Sequence, residues 1–334
     1  MIDTAKLGAF LAARTEAPAR IISHEPMFGG WNSAMSKLVA DLGDGPTTLV
    51  ARGDLPREQL MLSSDLRKEW DLLCALGDQP VRVAPRAYHA DLTGDELGRR
   101  TMLTEFVEGA SLQMSVSTTP PATHDALLDG LAALAARIHS VALETLPPAF
   151  EVPSSWNDYI DRRLAGWREA EARWVERSPV MRYVGAWLAA NRPAPMDLTL
   201  VHGDFHTSNV MVLPEGDQIA VDWELAHIGD PREDLGWTMI YESAAPPPLV
   251  TRGQERFCET YRAHAGCGED LVNPATIRWF SLLNIAAGVD AMTPAFEAIV
   301  NGTSTSTTAA MCAVMGVTLG GHCLETIASL EGNA

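Results

Sequence analysis

The sequence predicts an α+β chain, with a small antiparallel sheet and one main helix first and a larger, mainly helical part after it. Three observations predict this. Between Arg20 and Val107, short apolar runs alternate with turn clusters rich in Gly, Pro and Asp. From Ala126 onward, apolar residues recur at helical spacing with Ala filling between them. One short two-strand pattern, Val210 to Val221, interrupts the helical part.

Taken in order, Lys6 to Arg14 is a short helical segment expected to pack outside the first lobe. Arg20 to Met27, Ala34 to Leu42 and Thr47 to Arg52 form an antiparallel meander, joined through Phe28-Gly29-Gly30-Trp31-Asn32-Ser33 and Gly43-Asp44-Gly45-Pro46. Asp65 to Leu76 is an amphipathic helix. Pro80 to Tyr88 and Thr101 to Val107 read as two more strands around a polar loop, Asp91 to Arg100. Thr118-Thr119-Pro120-Pro121 is linker-like. Helices follow at Ala126 to Ser140, Trp156 to Glu176, Val180 to Asn191, Arg252 to His264, Pro274 to Asp290 and Ala309 to Leu330, and Gly229 to Trp237 begins another. Asn301 to Thr308 reads as a flexible connection. Trp156, Trp167 and Trp174, spaced 11 and 7 apart, fall roughly on one helix face. Core packing is the plain reading of that stripe, and substrate stacking the functional one.

Composition narrows the function classes. A hydrophobic share of 46% and a charged share of 20% belong to a folded, soluble protein, and 334 residues suffice for one large domain or two ordinary ones. The net charge of −18 argues against nucleic-acid binding through a basic surface. Up to Glu105 there are 12 basic against 15 acidic residues, and beyond it 13 against 28. That acidic second part suits a cationic substrate, and equally serves solubility. Five scattered cysteines (Cys74, Cys258, Cys267, Cys312, Cys323) show neither metal spacing nor a disulfide framework. Met1 to Ala19 lacks the apolar core of a secretory leader, and no run approaches ~18 apolar residues. The expectation is a cytoplasmic protein with no membrane partner.

The chemistry concentrates in Leu200 to Trp237, LVHGDFHTSNVMVLPEGDQIAVDWELAHIGDPREDLGW. Asp204 and Asn209 stand five residues apart, and a hairpin pattern then ends on Asp222. An antiparallel hairpin returns its exit to the level of its entry, so Asn209 and Asp222 are expected at one end, with Asp204 on the loop before. Two carboxylates and an amide oxygen are hard donors suited to Mg²⁺. The D-x-x-x-x-N spacing with a later Asp is the layout of phosphoryl-transfer loops. There the first Asp orients or deprotonates a hydroxyl, and the Asn and second Asp hold Mg²⁺ on nucleotide phosphates. Two rival readings stay open: turn and cap roles for all three residues, and a metal-dependent hydrolase built on His202, Asp204 and His206 with ligands from elsewhere.

HGDFHTSN, VDWE and GDPREDLGW, in this order, resemble the aminoglycoside phosphotransferase family of small-molecule kinases, where HGD-x-x-x-x-N replaces the HRD-x-x-x-x-N of protein kinases. The resemblance covers Arg20 to Trp237. It implies a protein-kinase-like, two-lobed α+β fold, with a nucleotide-binding lobe over residues 1–107 and a helical catalytic and substrate-binding lobe over 108–334. It also implies ATP and Mg²⁺, with Asp204 as the catalytic residue and Asn209 and Asp222 as metal ligands. Gly29-Gly30 takes the place of a phosphate lid, although a plain tight turn explains the pair as well. LVAR puts Arg52 where V-A-I-K carries its phosphate-holding Lys, with Glu69 as its partner on the next helix, unless Glu69 is simply a solvated charge. MLTEFVEG, ending at Gly109, takes the hinge position, with adenine against backbone groups near Glu105 and Val107.

Arg52 is a departure from the lysine. It keeps the charge on a longer, planar fork, which leaves open a nucleotide-binding pseudokinase. Asp230 and Asp234 take the place of acidic supports for the catalytic loop. The implied function is ATP-dependent transfer of the γ-phosphate to a hydroxyl of a small molecule. The family's acceptors include aminoglycosides, choline-like alcohols, macrolides and sugars, and the sequence selects none of them. Selection is expected from Trp156 to Trp174 and the C-terminal helices.

Overall fold

The computed structural model describes residues 2–15, 19–27, 33–54, 65–174, 179–244, 247–303 and 321–332, with 305 and 310. The chain divides into two compact units. One comprises Met1–Ala110, Glu144–Ala149 and Met211–Leu225, and the other Ser111–Leu143, Phe150–Val210 and Ala226–Ala334.

The first unit opens with helix α1 (Thr4–Ala12), capped by Asp3, whose carboxylate accepts from the N–H groups of Ala5 and Lys6. Strands β1 (Arg20–Pro26), β2 (Ser33–Asp41), β3 (Pro46–Asp54), β4 (Ala87–Asp91) and β5 (Thr101–Glu105) form one sheet in the order β1-β2-β3-β5-β4, every neighbour antiparallel. Alternation sends Leu38 and Ala40 of β2, Leu49 and Ala51 of β3, and Leu103 of β5 into one core. Leu7, Phe10 and Leu11 of α1 join that core. The first helix is therefore part of the first unit's core and does not pack outside that lobe, because its three large apolar residues share a face.

Helix α2 (Leu66–Gly77) buries Leu66, Leu72, Leu73 and Leu76, and Glu69 lies on the same buried face. The strand expected over Pro80 to Tyr88 begins only at Ala87 and runs on to Asp91. Pro80 and Pro85 bring no N–H to a ladder, which disfavours pairing before that point. Asp91 then closes the following loop, its carboxylate accepting from the N–H groups of Gly94, Glu96 and Leu97 at 2.8–2.9 Å.

Further on come the short strands β6 (Ala110–Ser111) and β7 (Thr199–Val201), the hairpin of β8 (Val210–Val212) and β9 (Gln218–Ala220), and β10 (His227–Gly229). The hairpin turn is closed by Leu213 N–H to the Asp217 carbonyl at 2.8 Å. Leu213 and Ile219 pack with Val107 in a small core within the first unit. Gly109 beside it has φ 141°, and a β-carbon there would lie 2.2 Å from the Val212 carbonyl oxygen. Only glycine fits.

The second unit is mainly helical: α3 (Leu112–Thr118), α4 (His124–His139), α5 (Trp156–Trp174), α6 (Pro179–Ala190), α7 (Arg232–Ala244), α8 (Gln254–Ala265) and α9 (Pro274–Val300), with a further helix over residues 321–330. Helix α3 has no counterpart in the sequence reading, since LQMSVST is too short and polar to show periodicity; Ser111 caps it through the Met114 N–H. Helix α9 starts on a reciprocal Asn273–Thr276 capping box and passes Asp290 to end at Val300. Trp156, Ile160, Leu164 and Trp167 of α5 pack with Val184 and Leu188 of α6 and with Phe280 and Leu283 of α9. Trp156 donates to Asp230 at 2.6 Å and Trp167 to the Met181 carbonyl at 3.0 Å, so both rings belong to the core. The Trp174 side chain and most of 304–320 lie outside the described residues. No helix among the described residues is long and apolar enough to cross a membrane.

Candidate active site

Strand β7 delivers the chain into His202-Gly203-Asp204, and helix α7 holds the loop that follows. Asp234, in the first turn of α7, accepts from the N–H of His202 at 2.8 Å and of Gly203 at 3.0 Å, while His139 Nε2 stands 3.1 Å from the same carboxylate. Thr238 donates to the Phe205 carbonyl at 2.8 Å. Tyr241 stacks flat on His206, with ring centroids 3.8 Å apart, and its hydroxyl meets Ser208 Oγ at 2.7 Å. Trp237 donates its indole N–H to Asp204 Oδ1 at 2.7 Å. Positions 234, 237, 238 and 241 lie on one face of a helix, so a single surface of α7 templates the loop.

Asp204 therefore has both oxygens oriented. Oδ1 takes the Trp237 N–H and lies 3.4 Å from His206 Nε2, and Oδ2 accepts from Asn209 Nδ2 at 2.8 Å. Burial raises the Asp204 pKa. Hydrogen bonding and attraction from His206, then His202 and Trp237, outweigh it and hold the carboxyl below its usual range. Asp234 shows the same balance, with burial opposed chiefly by His139. Asn209 also donates to the Asp204 carbonyl at 3.1 Å, so its amide nitrogen is committed and its oxygen is the remaining donor atom for a ligand.

In the first unit, Arg52 of β3 meets Glu69 of α2 at 2.5 Å through Nη1 and Glu224 at 2.6 Å through Nη2. Asp222 Oδ1 lies 3.2 Å from Nη1 without hydrogen-bond alignment. Three carboxylates thus surround one guanidinium. Burial lowers the Arg52 pKa, but Glu69, Asp222 and Glu224 together carry it above its ordinary value. Glu69 is pushed up to about 7, by burial first and then by Asp222 and Glu224, against the pull of Arg52. Asp222 has φ 66°, the one non-glycine residue with positive φ among the described residues.

Near the expected hinge, Glu105 is tied down at three points. Its carboxylate meets Arg82 at 2.8 Å and the Arg86 N–H at 3.1 Å, and its own N–H donates to the Arg86 carbonyl at 2.8 Å. Val107 follows at the small core with Leu213 and Ile219. Gly29 and Gly30 lie outside the described residues.

In the first unit, the buried Asp222 Oδ1 has no hydrogen-bond partner among the described residues. In the second, the Asn209 amide nitrogen is committed to Asp204, which leaves its oxygen. Each by itself is a hard oxygen donor of the kind Mg²⁺ takes. A His-rich hydrolase centre is not supported. Among the described residues no group of three or more His, Cys, Asp or Glu converges to hold a metal, and the His206 nitrogens meet the Ser208 N–H at 3.3 Å and the Asp204 carboxylate at 3.4 Å. Sequence reasoning missed Trp237, Tyr241 and Glu224 as parts of these clusters. For the first two the available signal was their spacing from Asp234.

The model of the phosphotransferase enzyme family (APH) matches residues 37–267. The chain belongs to this family. Solved structures share the fold of this phosphotransferase. A Ralstonia eutropha protein named as a candidate aminoglycoside phosphotransferase superposes with a TM-score of 0.75 at 20% identity, over 98% of each chain. The GDP complex of aminoglycoside 2′-phosphotransferase-IIIa gives 0.67 at 16%, over 96% of this chain and 98% of the other. Curated relatives include acyl-CoA dehydrogenase family member 10 of Mus musculus, 28% identical over 52% of this chain and 16% of its own length. Family member 11 of Pongo abelii is 24% identical over 74% of this chain and 34% of its own length. The chain thus spans about a third or less of these relatives' length. Membership of the phosphotransferase enzyme family and the fold it shares are what these findings establish.

Proposed function

We propose that this phosphotransferase moves the γ-phosphate of ATP onto a hydroxyl of a small molecule, with Asp204 as the residue that orients the hydroxyl and takes its proton. One observation carries the reading. Asp204 is held by Trp237 and Asn209 on separate oxygens and kept below the usual carboxylate pKa, so it is ionised and fixed in direction at neutral pH. Positioning and electrostatics are what phosphoryl transfer asks of the protein.

In this reading residues 1–107 bind the nucleotide and 108–334 carry the catalytic loop and the acceptor. Asn209 and Asp222 supply oxygen ligands to Mg²⁺, which when bound neutralises phosphate charge. Arg52, braced by Glu69, faces the phosphates, with Gly29 and Gly30 as the lid. Of the two hinge residues, Glu105 has its N–H committed to Arg86, so adenine recognition falls to the Glu105 carbonyl and to the backbone of Val107. The setting is the cytoplasm, in keeping with Cys74, Cys258, Cys267 and Cys323 all being free thiols.

The relatives' names favour a hydroxylated acyl thioester as acceptor. The acidic excess beyond Glu105 favours a cationic alcohol instead. ADP release from Mg-ATP, measured over a panel with hydroxyacyl-CoAs, aminoglycosides, choline and sugars, tests both. Acceptor-dependent release that D204N abolishes, while Mg-ATP still binds, is the expected result. Turnover intact in D204N overturns the role of Asp204, and Mg-ATP binding without ADP from any acceptor favours the pseudokinase.

A further inference from the structure

We propose that Glu224 is a positioning residue that makes arginine, and not lysine, necessary at position 52. This rests on the nucleotide-binding reading above and assigns a role within the same site. The guanidinium is engaged on both arms: Nη1 toward Glu69 at 2.5 Å and Asp222 at 3.2 Å, Nη2 toward Glu224 at 2.6 Å. The Arg52, Glu69 and Glu224 side chains are 9%, 3% and 13% exposed, so these contacts are shielded from water. A planar fork holds two carboxylates on separate nitrogens, whereas an ammonium is a single point charge.

The three acids come from different parts of the first unit. Glu69 comes from α2, and Asp222 and Glu224 from the corner after β9. That corner is pinned by Trp223, which is 1% exposed and donates to the Ala220 carbonyl at 3.0 Å. Asp222 and Glu224, on either side of Trp223, both reach the same guanidinium, and the positive φ of Asp222 turns the chain there. Arg52 thereby stands its charge against Asp222, while Glu224 holds the second arm of Arg52 in place. Lysine at 52 would keep Glu69 and surrender the nitrogen that Glu224 holds. The Glu224 charge would then stand beside Asp222 and oppose incoming phosphates. Neutralising Glu224 should hurt the natural protein and help the lysine variant.

The test is a double-mutant cycle on the full chain: wild type, R52K, E224Q and R52K/E224Q. Affinity for Mg-AMP-PNP is read by calorimetry, and the thermal midpoint is read without ligand. We expect R52K to weaken nucleotide binding about tenfold or more, E224Q to weaken it less, and the double variant to bind more tightly than R52K, a coupling of the size contacting residues show. A double variant as weak as the product of the two single losses overturns the assignment. So does coupling confined to the thermal midpoint, which marks Glu224 as structural only. Should R52K fail to fold, R52Q takes its place in the cycle, with the same expectation for E224Q. Binding by none of the proteins, wild type included, removes the functional reading together with this assignment. Wild-type binding with additive losses removes the assignment alone.

Discussion

Trp237 donates its indole N–H to Asp204 Oδ1 at 2.7 Å, and it does so from the helix face that also carries Asp234. A hydrogen bond to an ionised carboxylate contributes about 1.5–3 kcal/mol. Replacing Trp237 by Phe keeps the bulk and removes the donor. W237F should lower kcat about 10- to 100-fold while leaving the KM for Mg-ATP within about twofold, since no nucleotide role is assigned to the indole. Steady-state ADP release with a working acceptor measures both. A parallel collapse of nucleotide affinity would show that Trp237 supports the fold and not Asp204.

Asp234 accepts the backbone N–H groups of His202 and Gly203 and sits against His139, with the side chain 1% exposed. Its folded pKa is depressed, so the folded state holds the proton less well than the unfolded chain. The stability it contributes is fully present above the ordinary carboxylate value of about 4 and is lost as pH falls through the folded pKa. Removing the charge, to which the His202 and Gly203 N–H groups donate, should cost about 1.5–3 kcal/mol. D234N should therefore lower the thermal midpoint at pH 7 by several degrees and flatten the acid limb of the stability curve. An unchanged midpoint would mean that the loop does not depend on this carboxylate.

Glu69 shows the opposite sign. Burial and the neighbouring Asp222 and Glu224 push it up to about 7 from 4.5 in the absence of metal. The folded state then binds the proton more tightly than the unfolded chain, so stability falls as pH rises from about 4.5 to about 7. Chemical denaturation without metal or nucleotide should show a decline on the order of 2–3 kcal/mol across that window, and E69Q should remove most of it. A wild-type curve flat between pH 5 and 7 would show that Arg52 alone neutralises Glu69.

The sheet, the helical remainder and the loop from His202 to Asn209 were legible because each depends on local chemistry: turn residues, periodicity and fixed spacing. The misplaced elements failed for physical reasons. The apolar run between Pro80 and Pro85 suggested pairing that those prolines disfavour, and the shared face of Leu7, Phe10 and Leu11 marks α1 as buried without naming the sheet that covers it. The site divides along the same line. Asp204 and Asn209 are close in sequence, so their hydrogen bond could be anticipated from spacing. The Arg52–Glu224 pair joins residues 172 apart in the chain, and only the folded first unit brings them together. Trp237 and Tyr241 became readable once residues 232–244 were seen to form one helix with Asp234 at its start.

Gly109 closes the expected hinge, and its geometry sets a demand on the backbone. With φ 141° and a virtual β-carbon 2.2 Å from the Val212 carbonyl oxygen, no side chain fits without moving the β8–β9 hairpin. That hairpin carries Leu213 and Ile219 into the core with Val107, and Ala220 donates from it to the Val83 carbonyl at 2.9 Å. Backbone strain of this kind costs about 1–3 kcal/mol, before any steric repacking is counted. G109A should therefore destabilise the protein by at least about 2 kcal/mol. Because Val107 is assigned to adenine, it should also weaken Mg-ATP binding. Denaturant titration and calorimetry on the same preparation check the two effects. A variant as stable as the wild type would mean that the hairpin yields freely at Val212, and the hinge assignment would then lose its structural support.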